Sequence, residues 1–270
     1  MKFSLLISIY YNVIPEYFDR CMKSIWSEQT LKPNEVVLVH DGKLTDELYA
    51  SIDKWNKELG NLFKHVIIEK NVGLGHALNI GLENCNYEMV ARMDPDDISL
   101  PYRFERQIEV FKQCDVDICG SWIGEFDKDE NNIVSYRKTP QTHEKIVSFA
   151  KKRNPINHPS VMYKKSMVNN SGGYNKMAGF QDYYLWCRMI LEGAKFYNIP
   201  EPLVRMRAGY SQIERRSGMK YAVEEINFQR ELYRLGFLNI FEFAANVLIR
   251  FASRVFPKKI IKQIYKRLRE

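Results

Sequence analysis

An α/β fold built on a mostly parallel sheet is predicted by three features of this 270-residue chain. Short β-branched apolar runs alternate with helical stretches four times in the first half. The second run, EVVLV at Glu35–Val39, reads as a strand buried on both faces, the habit of parallel sheets. The fourth run leads directly into an acidic turn, and ligands of such sheets sit beyond the carboxyl ends of the strands.

The elements follow in order. Phe3–Ile9 is the first strand, and Pro15–Glu28 a helix with Tyr17/Phe18, Cys21/Met22 and Ile25/Trp26 on one stripe. Glu35–Val39 is the second strand, and Thr45–Leu59 a helix capped by Thr45. His65–Ile68 is the third strand, Gly73–Glu83 a helix, and Tyr87–Met93 the fourth strand. Pro101–Lys112 is a helix that closes this half. Beyond it, Val116–Phe126 and Ile133–Arg137 form a hairpin around DKDENN. His158–Tyr163 reads as a strand, Gln181–Leu191 as a helix, Lys195–Met206 as one or two strands and Ser217–Leu235 as a long helix.

Domain organisation follows from these elements and from charge. Residues 1–236 form the main domain, with a division at about 113, and 237–270 form a basic helical tail. Of the net charge of +7, all lies in Arg250–Glu270, with eight basic residues and one acid. The remaining 249 residues carry 32 of each sign. A nucleic-acid binder carries its basic surface on the folded body, so that class is excluded. In the tail, Phe241, Ala244/Ala245, Leu248, Phe251/Ala252 and Val255 share one stripe. Pro257 opens a second helix with Ile260/Ile261, Ile264/Tyr265 and Leu268 opposite a Lys/Arg face. Such a helix either docks on a body or lies on an anionic membrane surface, and the coincident charge excess favours the membrane. No stretch is long and apolar enough to span a bilayer. The first residues read as a strand rather than a signal peptide, and five cysteines without a CxxC pair read as free thiols.

Chemistry concentrates in Met93-Asp94-Pro95-Asp96-Asp97. Three carboxylates within four residues repel one another unless a cation neutralises them, and oxygen ligands suit Mg²⁺ or Mn²⁺. Read alone, the stretch is either such a metal turn, with Asp94 and Asp96 converging, or a solvated turn with Asp97 capping the next helix. Asp41-Gly42 ends the second strand. There an Asp either accepts from a base N–H or merely makes a turn. Asn71-Val72-Gly73-Leu74-Gly75 brings backbone near a ligand or only caps a helix. Asp182 either caps QDYYLWCR or serves as a general base, and His158 is either a core histidine or a phosphate or acceptor contact.

Taken together and in order, SIYYN, EVVLVHDG, NVGLGHALNIGL, ARMDPDDISLPYRFERQ, NPINHPSVMY, GGY and QDYYLWCRM closely resemble family 2 inverting glycosyltransferases of the GT-A fold, over roughly residues 3–205. The kind is that of bacterial O-antigen and capsular polysaccharide clusters. The resemblance implies a Rossmann-like sheet flanked by helices, with a nucleotide-binding half over about 1–113 and an acceptor half over about 114–236. It implies that Asp41 binds the uracil of a UDP-sugar, with Ser8, Tyr10 and Gly73 lining the pocket and Arg92 and Asp94 on the donor. Asp96, with Asp94, would hold Mn²⁺ or Mg²⁺ on the diphosphate, and Asp182 would be the catalytic base. The product would be a β-linked hexose from UDP-galactose or UDP-glucose, added to an undecaprenyl-pyrophosphate-linked saccharide at the cytoplasmic face of a bacterial inner membrane. This chain departs from the family in having His40 where a second acid is common, and Gln181 before Asp182. It lacks the Gln-x-x-Arg-Trp of processive members, so one sugar per reaction is expected. The alternative is a non-catalytic nucleotide-sugar or polysaccharide-binding protein on the same scaffold.

Overall fold

The computed structural model describes residues 1–175, 177, 179–208 and 219–255. The chain divides into two compact units, Met1–Lys176 with Gln181–Ala208, and Met177–Phe180 with the chain after Ala208.

The first unit begins as the sequence predicts. Strands β1 (Phe3–Ile9), β2 (Glu35–Asp41), β3 (Phe63–Ile68) and β4 (Met89–Met93) pair in parallel in the order β3-β2-β1-β4. Helix α1 (Pro15–Ile25) opens on proline, whose missing N–H is not needed in a first turn. Helix α2 (Asp46–Leu59) is capped by Thr45, whose hydroxyl accepts from the Leu48 N–H at 3.3 Å. Helix α3 (Leu74–Glu83) starts after Gly73.

The second half is mixed rather than parallel. It comprises β5 (Ile98–Ser99), α4 (Arg103–Gln113), β6 (Ile118–Phe126), β7 (Ile133–Arg137), α5 (His143–Ala150), β8 (Met162–Lys164), α6 (Lys165–Asn170), α7 (Gln181–Leu191) and β9 (Phe196–Arg207). The sheet continues β4-β8-β6-β9-β5, antiparallel except between β6 and β9, with β7 on β6 as the expected hairpin. The expected strand over His158–Tyr163 is instead a 3₁₀ turn at His158–Ser160 followed by β8. Pro159 cannot donate to a ladder, so the chain turns before pairing resumes. Lys195–Met206 is one strand, with its register against β6 shifted at Ser121–Ile123.

Period-two alternation sends β1 and β2 side chains to opposite cores. Phe3, Leu5, Ile7, Val36 and Leu38 meet α1, α2 and α4 through residues such as Met22, Trp55 and Phe104. Leu6, Val37 and Val39 meet Ala77, Leu78 and Leu82 of α3 and Leu185 and Trp186 of α7. The result is three layers, helix–sheet–helix. Cys21, Cys85, Cys119 and Cys187 are buried, and burial pushes each thiol upward, Cys85 to about 12. Cys114 is exposed.

In the second unit, α8 (Met219–Arg234) packs on α9 (Ile240–Val255), and Phe180 stacks on Phe228 with ring centroids 4.7 Å apart. Asn246 donates to Gln229 at 2.9 Å, and Arg250 pairs with Glu225. Asn246 of α9 therefore faces α8. As far as Leu248, the apolar stripe expected on α9 faces outward, with Phe241 82% and Leu248 68% exposed. No described helix is long and apolar enough to cross a membrane. The helix expected after Pro257 lies outside the described residues.

Candidate active site

Three adjacent strands, β2-β1-β4, end side by side and deliver most of the expected residues. At the end of β2, Asp41 is 3% exposed. Its Oδ1 accepts from the Val72 N–H at 2.7 Å and its Oδ2 from the Gly73 N–H at 3.1 Å. Asn71 Nδ2 donates back to the Asp41 carbonyl at 3.1 Å. Asp41 thus pins the loop before α3. Gly42, at φ +88°, permits the approach, because a Cβ there would lie 2.9 Å from the Asn71 nitrogen. A carboxylate offers about four lone-pair sites. Two are taken by backbone, which leaves capacity for a ligand N–H. Ser8 is buried near the end of β1, and Tyr10 is exposed just beyond it, edge-on to Tyr11.

At the end of β4, Arg92 is 1% exposed and forks onto Asp94, with Nη1 donating to Oδ2 at 2.7 Å and Nη2 to Oδ1. Its charge reaches Asp94, Tyr174, His158 and Asp182. It holds Asp94 directly and acts on the residues around α7 through its charge. Arg103 lies behind it, fully buried. It donates to the Arg92 carbonyl at 2.7 Å, to the Val161 carbonyl at 3.3 Å and to Gln107 at 3.1 Å. Burial pushes its guanidinium down to about 9. This arginine fixes the strand end that leads into the acidic turn.

The three aspartates of the turn have different fates. Asp94 is held by Arg92. Asp97 is not the helix cap considered above, because α4 begins at Arg103 and its N-cap is Tyr102. Its Oδ1 accepts from the Arg207 N–H of β9 at 2.9 Å. Burial, then the charges of Asp94 and Asp96, push its carboxyl well above the ordinary range. Asp96 is half-buried and pushed up to about 6 by desolvation and by Asp94. Among the described residues no group of three or more His, Cys, Asp or Glu side chains is gathered to hold a metal ion. The donor set still fits a Mg²⁺-like ion, which takes one or two carboxylates and completes its shell with phosphate and water. Asp96 is the member whose charge such an ion would relieve.

Asp182 occupies the first turn of α7 and accepts from Asn154 Nδ2 at 2.7 Å. Desolvation raises its pKa, opposed by the Tyr183 N–H, Asn154 and Arg92. His158 Nε2 lies 3.0 Å from the Tyr174 hydroxyl, with the Trp186 ring edge-on at 5.9 Å. Burial, then Arg92, push its pKa well below 6.5, so the imidazole is neutral. Asn79 of α3 clamps Tyr174, accepting from its N–H at 2.7 Å and donating to its carbonyl at 2.8 Å. The sequence alone gives no role to Asn79, Arg103, Asn154 or Tyr174. All four sit in the ordered stretches quoted above, so the signal that marks them is present without an assignment. An open hollow lined by Glu35, Asn56, Lys64 and Asn86 lies at the amino ends of the strands, away from all of these residues.

The chain resembles known proteins along most of its length. Residues 5–177 match the model described as Glycosyl transferase family 2. The chain is 37% identical over 268 residues to the Escherichia coli UDP-Gal:alpha-D-GlcNAc-diphosphoundecaprenol beta-1,3-galactosyltransferase, covering 99% of this chain and 96% of that protein. It is 36% identical over 271 residues to the amylovoran biosynthesis glycosyltransferase AmsE of Erwinia amylovora, covering 99% of each. Among solved structures, Staphylococcus aureus TarS 1-349 in complex with UDP-GlcNAc aligns with a TM-score of 0.65 at 16% identity. The alignment covers 86% of this chain and 66% of that one, a likeness of fold.

Proposed function

As the chain belongs to glycosyl transferase family 2 and is a sugar transferase of polysaccharide synthesis, we propose that it moves one hexose from UDP-galactose or UDP-glucose to an undecaprenyl-pyrophosphate-linked saccharide, with inversion. The observation that carries this reading is the fork of buried Arg92 onto Asp94 at the end of β4, which holds the acidic turn at the carboxyl ends of the strands beside Asp41 and its loop. The identity, over nearly the whole chain, to a galactosyltransferase named for a diphosphoundecaprenol acceptor supports the choice of donor and acceptor.

The steps follow from the side chains. Ser8, Tyr10, Asp41 and the Gly73 backbone receive the nucleotide, with Asp41 accepting from the base while it holds the 71–73 loop. Asp96, with Asp94 beside it, would hold Mn²⁺ or Mg²⁺, which when bound supplies neutralisation of the leaving diphosphate. Asp182 takes the proton of the acceptor hydroxyl. That oxygen bonds to the anomeric carbon as the bond to the UDP oxygen breaks, and UDP leaves with the electron pair. A single displacement of an α-linked donor gives a β-linkage. His158, kept neutral, suits a hydrogen bond to an acceptor hydroxyl better than pairing with phosphate. Calorimetric titration of UDP with and without Mn²⁺ tests the reading. Transfer assays from UDP-galactose and UDP-glucose to an alkyl-diphosphate-linked N-acetylglucosamine then identify the sugars. Failure to bind UDP in either condition would sink it.

Peripheral attachment at the cytoplasmic face of the inner membrane belongs to the same reading. The outward apolar stripe of α9 and the basic excess from Arg250 onward support it. Deleting residues 238–270 is expected to weaken binding to anionic phospholipid vesicles at least about tenfold, since each basic residue near such a surface contributes about 1 kcal/mol. Cosedimentation unchanged by the deletion would refute the attachment.

A further inference from the structure

We propose that Asn154 is the positioning residue of the base, holding the Asp182 carboxylate in the orientation in which it receives the acceptor proton. The proposal rests on Asp182 being the base. Asn154 Nδ2 donates to Asp182 Oδ2 at 2.7 Å, and its own Oδ1 accepts from the Ile156 N–H at 3.3 Å. The amide is therefore oriented by two bonds, one of them local.

The segment that carries Asn154 has almost no regular structure, yet it is pinned at several points. The Pro155 carbonyl accepts from Asn198 of β9 at 3.0 Å. Asn157 donates to the Ser121 and Arg137 carbonyls at 2.8 and 3.2 Å. The Ser160 carbonyl accepts from Gln107 of α4 at 2.8 Å, and the Ser160 hydroxyl accepts from the Ser121 N–H at 3.0 Å. Gln107 in turn holds Arg103, which holds the end of β4. Asn154 and the acidic turn are thus referred to one buried polar frame, which fixes the base relative to the donor residues.

Among the described residues, Arg92 from β4, Tyr174 from the turn before α7 and Cys187 on α7 itself interact electrostatically with Asp182. Tyr174 and Cys187 are held neutral by burial. Asn154 stabilises the carboxylate form, so removing it raises the pKa of Asp182, and the acid side of the rate profile moves to higher pH.

The test is the pH dependence of kcat for transfer from UDP-galactose to alkyl-diphosphate-linked N-acetylglucosamine. Asn154→Ala is expected to lower kcat about tenfold or more, the scale of a lost hydrogen bond to a charged group. Its acid limb should move upward while UDP affinity is unchanged. Combined with Asp182→Asn, it should cost no more than Asp182→Asn alone, because the two act as one unit. An unmoved acid limb, or losses that multiply in the double variant, would overturn the role. Loss of UDP binding in Asn154→Ala would signal misfolding, and Asn154→Ser, which keeps a short donor, is then read by the same two criteria. A parental rate in Asp182→Asn would overturn the base reading itself. A slowed Asp182→Asn with an unmoved limb in the Asn154 variants would overturn only the positioning role.

Discussion

Asp182→Asn is expected to transfer sugar at least about a hundredfold more slowly than the parent, the usual scale for loss of a general base, while binding UDP as before. The substitution removes the atom that takes the proton but keeps an oxygen able to accept from Asn154, so the start of α7 retains its bond. Desolvation works against the charge of Asp182 in the parent. The neutral amide relieves that cost, so no loss of thermal stability is expected. Calorimetry with UDP and a transfer assay on the same preparation separate the two effects. Lost UDP binding, with whatever rate survives unchanged, would make Asp182 structural.

Asp96→Ala should eliminate transfer and the metal-dependent part of UDP binding, while leaving the weak metal-independent part to Asp41 and its loop. Without metal and nucleotide the same variant is expected to be at least as stable as the parent at pH 7. The sign follows from the raised pKa, about 6 in the fold against 3.8. Protonated Asp96 favours the fold below 3.8. That contribution is lost as pH rises through 6, so the ionised group is a cost at neutrality. The advantage of the variant should shrink as the pH is lowered from about 7 toward about 4. Adding Mn²⁺ and UDP should shrink the variant's advantage, because the parent gains about 2.7 kcal/mol from ligand at about a hundred times its Kd and the variant, left with weak metal-independent binding, gains less. Thermal melts at mildly alkaline and mildly acidic pH, with and without Mn²⁺ and UDP, check both halves. Near-parental activity in Asp96→Ala would remove the metal role.

The sequence and the structure agree where the signals are local. Thr45 caps α2, Pro15 opens α1, and the alternation of β1 and β2 sorts Leu5 from Leu6 into opposite cores, because each depends on neighbours within a few residues. The second half depends on distant pairing. Nothing near Phe196–Arg207 says that it will lie between β6 and the two-residue strand Ile98–Ser99, and nothing near His158 except Pro159 argues against a strand there. The same division holds in the site. Asp94, Asp96 and Asp97 stand out as a local charge conflict. Asn154 and Asp182 are 28 residues apart on unrelated elements, and Asn79 and Tyr174 are 95 apart. Such pairs leave no periodicity to read. The GGY and NPINHPS stretches are legible as family signals, but the physical reason for them lies in the fold.

The distribution of thiols makes this chain its own reporter of opening. Cys21 sits in the core on one face of the sheet, Cys85 in the core on the other and Cys119 in a smaller cluster beside β9, while Cys114 alone is exposed. A maleimide pulse should therefore modify the native protein once. Each further modification then marks the breathing of a particular layer, so mass spectrometry of the labelled peptides would give the order in which the two cores come apart, without a single engineered probe.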